Sequence, residues 1–399
     1  MSARLLLFIG GLVISGATKA GPLSMEPSIG LASEYASNPI LNSGQANAQS
    51  NEAILMDDPI HYDLDSLRFA VDPSLRYGDS GGYSSLASNY YHLNGSATCL
   101  SDLSTLSAKI ALARDSSLYQ YGLSSNGLGV RTDSISTALD WQRQFTERSS
   151  FTVDGGWSRV LYNQQATDSG LDDYRYFSAA ATAAYAASER STLQLSGTAG
   201  QYDALDGITA SRSFGLQLGL ERKLSEIWNL SSSVGYSKSS NSQKIYTGQY
   251  VIGSTTYGPY YVGTLHATQH GAVFDAAVAR TGETLTVKAH LSRAYRPGGY
   301  AFLSREDIAD VDLKYLRSDR WTFGSKVTYQ NTATPATNSA LYTTHFLSTE
   351  LSAGWNWTPN WLISLTTRWV RVRYDLPPIG AQSTSISMQI TRQFLRIDL

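Results

Sequence analysis

Ser213-Phe-Gly-Leu-Gln-Leu-Gly-Leu-Glu221 sets Phe214, Leu216, Leu218 and Leu220 at every second position, with Ser213, Gly215, Gln217, Gly219 and Glu221 between them. Alternation of period two puts the two sets on opposite faces of an extended strand. The run leads into Ser225-Glu226-Ile227-Trp228, and there the pattern resumes. Trp228, Leu230, Val234 and Tyr236 now oppose Asn229, Ser231, Ser233 and Gly235. Two half-apolar strands joined by a short polar turn read as an antiparallel hairpin.

The unit recurs down the chain. Comparable turns are Thr146-Glu147-Arg148-Ser149, Ser188-Glu189-Arg190-Ser191, Thr281-Gly282-Glu283-Thr284, Ser318-Asp319-Arg320-Trp321 and Thr358-Pro359-Asn360-Trp361. They return roughly every 40 residues, a spacing that marks repeat architectures. Longer links rich in Gly, Ser, Asn and Tyr join one hairpin to the next. Short turns alternating with long loops, on alternating strands of about ten residues, are the signature of a transmembrane β-barrel. A soluble sandwich also alternates, but its strands usually run about 5 or 6 residues. A β-propeller has the repeat length but four short strands in each blade. The polar face here is mostly small and uncharged, as suits a wet lumen, and Trp and Tyr mark segment ends where interfacial girdles belong.

Strand candidates run from Ile29–Tyr35 to Ser385–Phe394 and total about 18. The expectation is an all-β, transmembrane antiparallel barrel with short periplasmic turns, longer extracellular loops and both termini on the periplasmic side. The N-terminal third is least regular: Pro73 falls inside a strand pattern, and the segment around Met56 is short.

Composition narrows the function. The formal net charge is −2 and only 16% of residues are charged, which argues against nucleic-acid binding and against an electrostatic anchor. Cys99 is the sole cysteine, so an intramolecular disulfide and a thiolate-rich metal site are excluded. At the N-terminus, Arg4, the short apolar run Leu5 to Ile14 and Thr18-Lys19-Ala20 form a secretory signal ending before Gly21. The expected division is a signal peptide over 1–20 and one barrel domain over 21–399. Export of a barrel implies the outer membrane of a Gram-negative envelope, with outer-membrane lipid and the barrel-assembly machinery as partners.

No enzyme is expected, and no cofactor or metal. The histidines are His61, His92, His266, His270, His290 and His345. His266 and His270 stand four apart, roughly 13 Å on a strand, too far to share a metal. His290 alternates with Lys288 and Ser292 on a lumen face, without the partners that a catalytic triad needs.

Two groups of residues are candidates for solute contact. The link from Ser239 to His266 carries Tyr246, Tyr250, Tyr257, Tyr260 and Tyr261. Tyrosine offers a flat apolar face with a hydroxyl, suited to stacking on sugars, although strands and girdles are enriched in Tyr for other reasons. The second group is Arg212, Lys288, Lys326, Glu350 and Arg368, read as lumen-facing together with Asp140, Asp154 and Glu221. Their mixed signs suit a neutral or weakly charged hydrophilic solute, since a phosphate pore would show rings of one sign.

Several phrases resemble a family of outer-membrane porins encoded near exopolysaccharide and exosortase gene clusters. They are Phe145-Thr-Glu-Arg-Ser-Ser-Phe151, Ala187-Ser-Glu-Arg-Ser-Thr-Leu193, Arg222-Lys-Leu-Ser-Glu-Ile-Trp228, Leu291-Ser-Arg-Ala-Tyr-Arg-Pro-Gly-Gly-Tyr300, Arg114-Asp-Ser-Ser117 and Tyr35-Ala-Ser-Asn-Pro39. The resemblance implies passage of a secreted polysaccharide across the outer membrane, with periplasmic export or co-polymerase proteins as partners. One departure is the end of the chain, Phe394-Leu-Arg-Ile-Asp-Leu399, where such barrels close on an aromatic residue; either Leu399 substitutes or Phe394 ends the assembly signal. The residues leave two alternatives beside polysaccharide export. One is a general diffusion porin with 239–266 as its constriction loop. The other is a structural or adhesive barrel with a filled lumen.

Overall fold

The computed structural model describes residues 23–398 except 40, 42–47, 81–88, 117–130, 164–171, 247–249, 253–254, 258–260, 298–302, 336–340 and 376–377. The signal segment 1–20, Leu86, Tyr260, Tyr300 and Leu399 therefore lie outside the described residues.

Eighteen antiparallel strands form the wall. In chain order they are β1 (Leu23–Met25 and Ser28–Ala36), β2 (Gln49–Asp57 and Ile60–Asp63), β3 (Leu67–Ser80), β4 (Tyr90–Leu100), β5 (Ser104–Ser116) and β6 (Arg131–Thr146). Next are β7 (Ser149–Asn163), β8 (Tyr174–Ser188), β9 (Ser191–Ala204), β10 (Thr209–Lys223), β11 (Trp228–Tyr246) and β12 (Tyr261–Thr281). The last are β13 (Leu285–Pro297), β14 (Leu303–Ser318), β15 (Trp321–Pro335), β16 (Leu341–Thr358), β17 (Trp361–Tyr374) and β18 (Ile379–Gln393 and Ile397–Asp398). Each strand pairs with the next, and β18 pairs with β1 from Ser28↔Gln393 to Ala36↔Ser385, which closes the barrel. The expected all-β barrel of 18 strands is the observed one.

Hydroxyl chemistry explains the recurring turn. Thr146 Oγ1 accepts from the N–H groups of Arg148 at 3.2 Å and Ser149 at 3.0 Å. Ser188 does the same for Arg190, Ser225 for Ile227 and Trp228, Ser318 for Arg320 and Thr358 for Asn360. A Ser or Thr side chain thereby replaces a backbone turn bond. Register slips by one residue beside four of these turns, between Gln144 and Thr146, Ala186 and Ser188, Leu316 and Ser318, and Asn356 and Thr358. Such bulges sharpen local twist at a barrel rim. Ser101-Asp102-Leu103-Ser104 is a further copy, with the Ser104 N–H on Ser101 Oγ at 3.1 Å.

Prolines mark the irregular N-terminal third. Pro73 lacks an N–H, and it faces β2 where that strand is interrupted at Asp58 and Pro59. The Asp58 N–H donates to the Pro73 carbonyl at 3.2 Å, Glu26 to Pro59 at 3.1 Å and Phe394 to Pro27 at 2.9 Å. Three neighbouring strands, β18, β1 and β2, are thus interrupted along one line near the periplasmic rim, beside Pro73 of the continuous β3. Beyond it the chain end keeps pairing, Met25 with Ile397 and Ser24 with Asp398. Ile397 and Asp398 thus extend the closing seam beyond Phe394.

Side-chain direction follows the sequence. Phe214, Leu216, Leu218 and Val234 stand exposed on the outer wall, Leu218 at 64%, as a lipid-facing surface requires. The periplasmic edge of that band is aromatic. Trp321 stacks on Trp355 at 5.8 Å, and Arg392 lies over Trp361 and Phe394 at 5.6 and 5.1 Å. At the other end, β11 and β12 rise further than expected. The link between them is 247–260 rather than 239–266, because alternation persists through the Ser- and Asn-rich run to Tyr246. Within that link Tyr250–Ile252 pairs with Thr255–Tyr257 as a small hairpin.

Candidate functional site

The lumen wall is the inward set of every strand. On β13 to β17 the pairing brings five charged residues onto one row: Lys288↔Asp312, Asp312↔Lys326, Lys326↔Glu350 and Glu350↔Arg368. Their alternate neighbours Leu291, Val311, Val327, Leu351 and Leu365 are exposed on the outer wall, so the five face inward. The signs alternate, positive and negative, across five strands. Opposite charges on adjacent strands stabilise each other, and no single sign builds up. Because barrel strands tilt by about 35–45°, the row climbs: beyond Arg368 it continues through Ser385 to Ala36 at the extracellular end of β1. It is a rising ladder rather than a ring.

Next along these strands, His290 lies between two aspartates. Its Nδ1 is 3.1 Å from Asp310 and its Nε2 2.9 Å from Asp275. The carboxylates fix the ring, which makes His290 part of the polar wall. Among the described residues no group of His, Cys, Asp and Glu has the arrangement of a metal site.

Towards the extracellular end, two apolar contacts enter the lumen. Leu303, the first residue of β14, is 0% exposed and packs with Tyr174, Tyr202 and Ala204. Those partners belong to β8 and β9, five to six strands away along the wall, so the contact crosses the interior. Tyr162 and Tyr176 flank it, with Tyr174 5.0 Å from Tyr202 and 6.4 Å from Tyr162 between ring centres. Polar groups brace the same end of β13 and β14: Arg296 lies 3.5 Å from Glu306, which also accepts from the Gln330 amide. On the other side Leu41 packs on Phe346, Val370 and Val372. Asn38 anchors that inward turn, its N–H on Ser383 Oγ and its amide on the Gln382 carbonyl, both at 3.2 Å. Leu41 itself has φ 49°, the left-handed region that a non-glycine residue rarely adopts.

Beside these contacts is a cavity of about 590 Å³, lined among others by Lys109, Asp140, Asp154, Tyr176, Gln217 and Arg296. Asp140 and Asp154 are direct cross-strand partners in it. Ser, Thr, Gln and Gly supply most of the remaining polar lining. This arrangement can exchange hydrogen bonds with a hydrophilic solute of either charge.

Of the residues expected to touch solute, Lys288, Lys326, Glu350 and Arg368 come together on the ladder. Arg212 does not: it shares the outward parity of Phe214 and lies between buried Ser211 and Ser213, so it is on the outer wall. Tyr246, Tyr250, Tyr257 and Tyr261 lie apart from the ladder, at the extracellular end of β11 and β12 and in the link between them. Tyr246 and Tyr261 are half-exposed with rings 6.0 Å apart, edge to face, and Tyr250 pairs with Tyr257 in the small hairpin. Half of 239–266, the alternative constriction loop, is wall, and the described cross-lumen contact starts from Leu303. Asp312, Arg296, Leu303 and Tyr202 were missed. The pair Asp310-Val311-Asp312, two carboxylates on one face, was the visible signal.

No protein-family model and no curated protein matches the chain. Solved structures do. The ferric-catecholate import receptor Fiu from E. coli K12, closed form, aligns with TM-score 0.49 and 7% identity over 94% of this chain and 82% of that one. OpdO of Pseudomonas aeruginosa gives 0.48 and 13% over 93% and 98%. OccK2 (OpdF) of the same organism, in complex with glucuronate, gives 0.46 and 12% over 93% and 98%. All are outer-membrane β-barrels, and the likeness concerns the fold, which the strand pairing above establishes independently.

Proposed function

We propose that this outer-membrane barrel is a passive channel for small hydrophilic solutes. The observation that carries the reading is the lumen-crossing contact of Leu303 with Tyr174 and Tyr202. A flexible glycan needs a wide bore along its whole path, and an apolar bridge across the interior works against polymer passage. Small solutes need only local gaps lined by hydrogen-bonding groups. The alternating ladder from Lys288 to Arg368 supports the same reading, because it offers weak contacts to either sign and no deep trap. Export of polysaccharide with periplasmic partners, the function implied by the family resemblance, is the reading this displaces. An N-terminal signal over 1–20 remains part of the proposal, as the route to the membrane.

The test is osmotic swelling of liposomes containing the full chain. Sugars, amino acids and small organic acids should cause swelling, and dextran should not enter. A deletion strain should lose uptake of such solutes and keep its surface polysaccharide. A strain that loses polysaccharide with unchanged solute uptake would overturn the proposal in favour of export.

A further inference from the structure

The outer wall carries a basic notch at the extracellular edge of its apolar band. It has a volume of about 250 Å³ and is lined by Tyr329, His345, Leu347, Arg371 and Arg373 together with Phe346. Val370 and Val372 are buried towards the lumen, so alternation turns Arg371 and Arg373 outward. Trp361 marks the periplasmic girdle, and Arg371 is ten residues further along β17. At about 3.4 Å per residue and a tilt of about 40°, that places Arg371 roughly 26 Å higher. The lipid-facing band is about 25 Å tall, so the notch sits where headgroups begin.

Its polar groups are held in place. His345 Nε2 is 3.3 Å from Asp375, and Nδ1 is 3.1 Å from the Tyr329 hydroxyl. These two contacts orient the His345 ring. Asp375 also lies 3.9 Å from Arg373 Nε. Arg371 has no carboxylate partner among the described residues. The notch thus carries two guanidinium groups against one carboxylate. Below it the wall is apolar and exposed, through Leu351 and Leu365.

We infer that this notch binds the phosphate of an outer-leaflet lipid headgroup, the acyl chains lying on the apolar wall beneath. A planar guanidinium fork matches phosphate oxygens two at a time. A site that is basic above and apolar below complements a phospholipid-like amphiphile better than a free anion. The inference concerns the outer wall and is independent of the solute in the lumen.

The experiment is native mass spectrometry of the full-length barrel in detergent with diphosphorylated lipid A, dephosphorylated lipid A or inorganic phosphate as probe. Wild-type protein should retain the phosphorylated lipid about 30-fold better than the dephosphorylated one, the ratio expected for two surface arginines. Arg371→Gln with Arg373→Gln should abolish that preference, while Arg143→Gln at the periplasmic end should keep it. Heat-modifiable migration on gels reports folding of each variant. Equal retention of the two lipids by wild-type protein overturns the inference even if the double variant fails to fold. So does an unchanged preference in a folded double variant, or displacement of the lipid by millimolar inorganic phosphate, which would mark a free-anion site.

Discussion

Leu303 on β14 is buried in one apolar cluster with Tyr202 on β9, and both are 0% exposed although four strands of wall stand between them. Leu303→Ala should shorten this bridge. Loss of a buried leucine costs about 2–5 kcal/mol, which an 18-stranded wall with its own hydrogen-bond ladder can absorb. The expected outcome is an inserted barrel with raised single-channel conductance in planar bilayers. Unchanged conductance would place the limiting constriction elsewhere.

The ladder should set ion preference. Removing its negative members, by Asp312→Asn with Glu350→Gln, leaves Lys288, Lys326 and Arg368 uncompensated. The reversal potential in a KCl gradient should move towards chloride. Lys326→Gln should move it towards potassium. Opposite shifts, abolished at high salt by screening, separate a lumen effect from a general loss of structure.

Neighbouring positions on β10 should respond in opposite ways. Leu218 faces lipid, and a charge there costs about 2–4 kcal/mol at the midplane, so Leu218→Arg should reduce the folded, heat-modifiable fraction. Gln217 accepts from Ser233 at 2.9 Å and lines the lumen cavity. Gln217→Arg should therefore assemble normally and lower conductance. Equal damage from both changes would show that the assigned faces are wrong.

Acid should favour one local region. Asp172, in the link that enters β8, has its pKa raised above the ordinary 3.8 by burial first and by Asp206 and Asp173 next. A carboxyl with a raised folded-state pKa binds its proton more tightly when folded. Its stabilising proton is fully present below 3.8 and is lost as pH rises through the higher folded value. Asp172→Asn should therefore raise the unfolding midpoint at pH 7 and leave it nearly unchanged at pH 3. A gain of equal size at both pH values would show that charge is not the cause.

Strands and faces were legible because period-two alternation is local: Leu216 and Leu218 declare their side without knowledge of any partner. The parity rule even held where it was misapplied, since Arg212 follows Phe214 and belongs outside. Register was less visible. It is set by the bulges beside Thr146, Ser188, Ser318 and Thr358, and a slip of one residue would have broken the row from Lys288 to Arg368. Leu303 and Leu41 were illegible for a different reason. Each meets residues distant in sequence, and nothing in Arg296-Pro297 or Asn38-Pro39 names the strand it will reach.

Closure of the wall joins the two ends of the polypeptide: Ser28–Ala36 bonds to Ser385–Gln393, and Met25 to Ile397. The first strand pairs with its sequence neighbour at once but gains its second partner only after the last strand has been delivered. Until then both edges offer unpaired N–H and C=O groups, a template for wrong chains. Assembly is thus gated by completion of the polypeptide, and a nascent chain cut short before residue 385 would remain an open sheet, dependent on escort and marked for proteolysis.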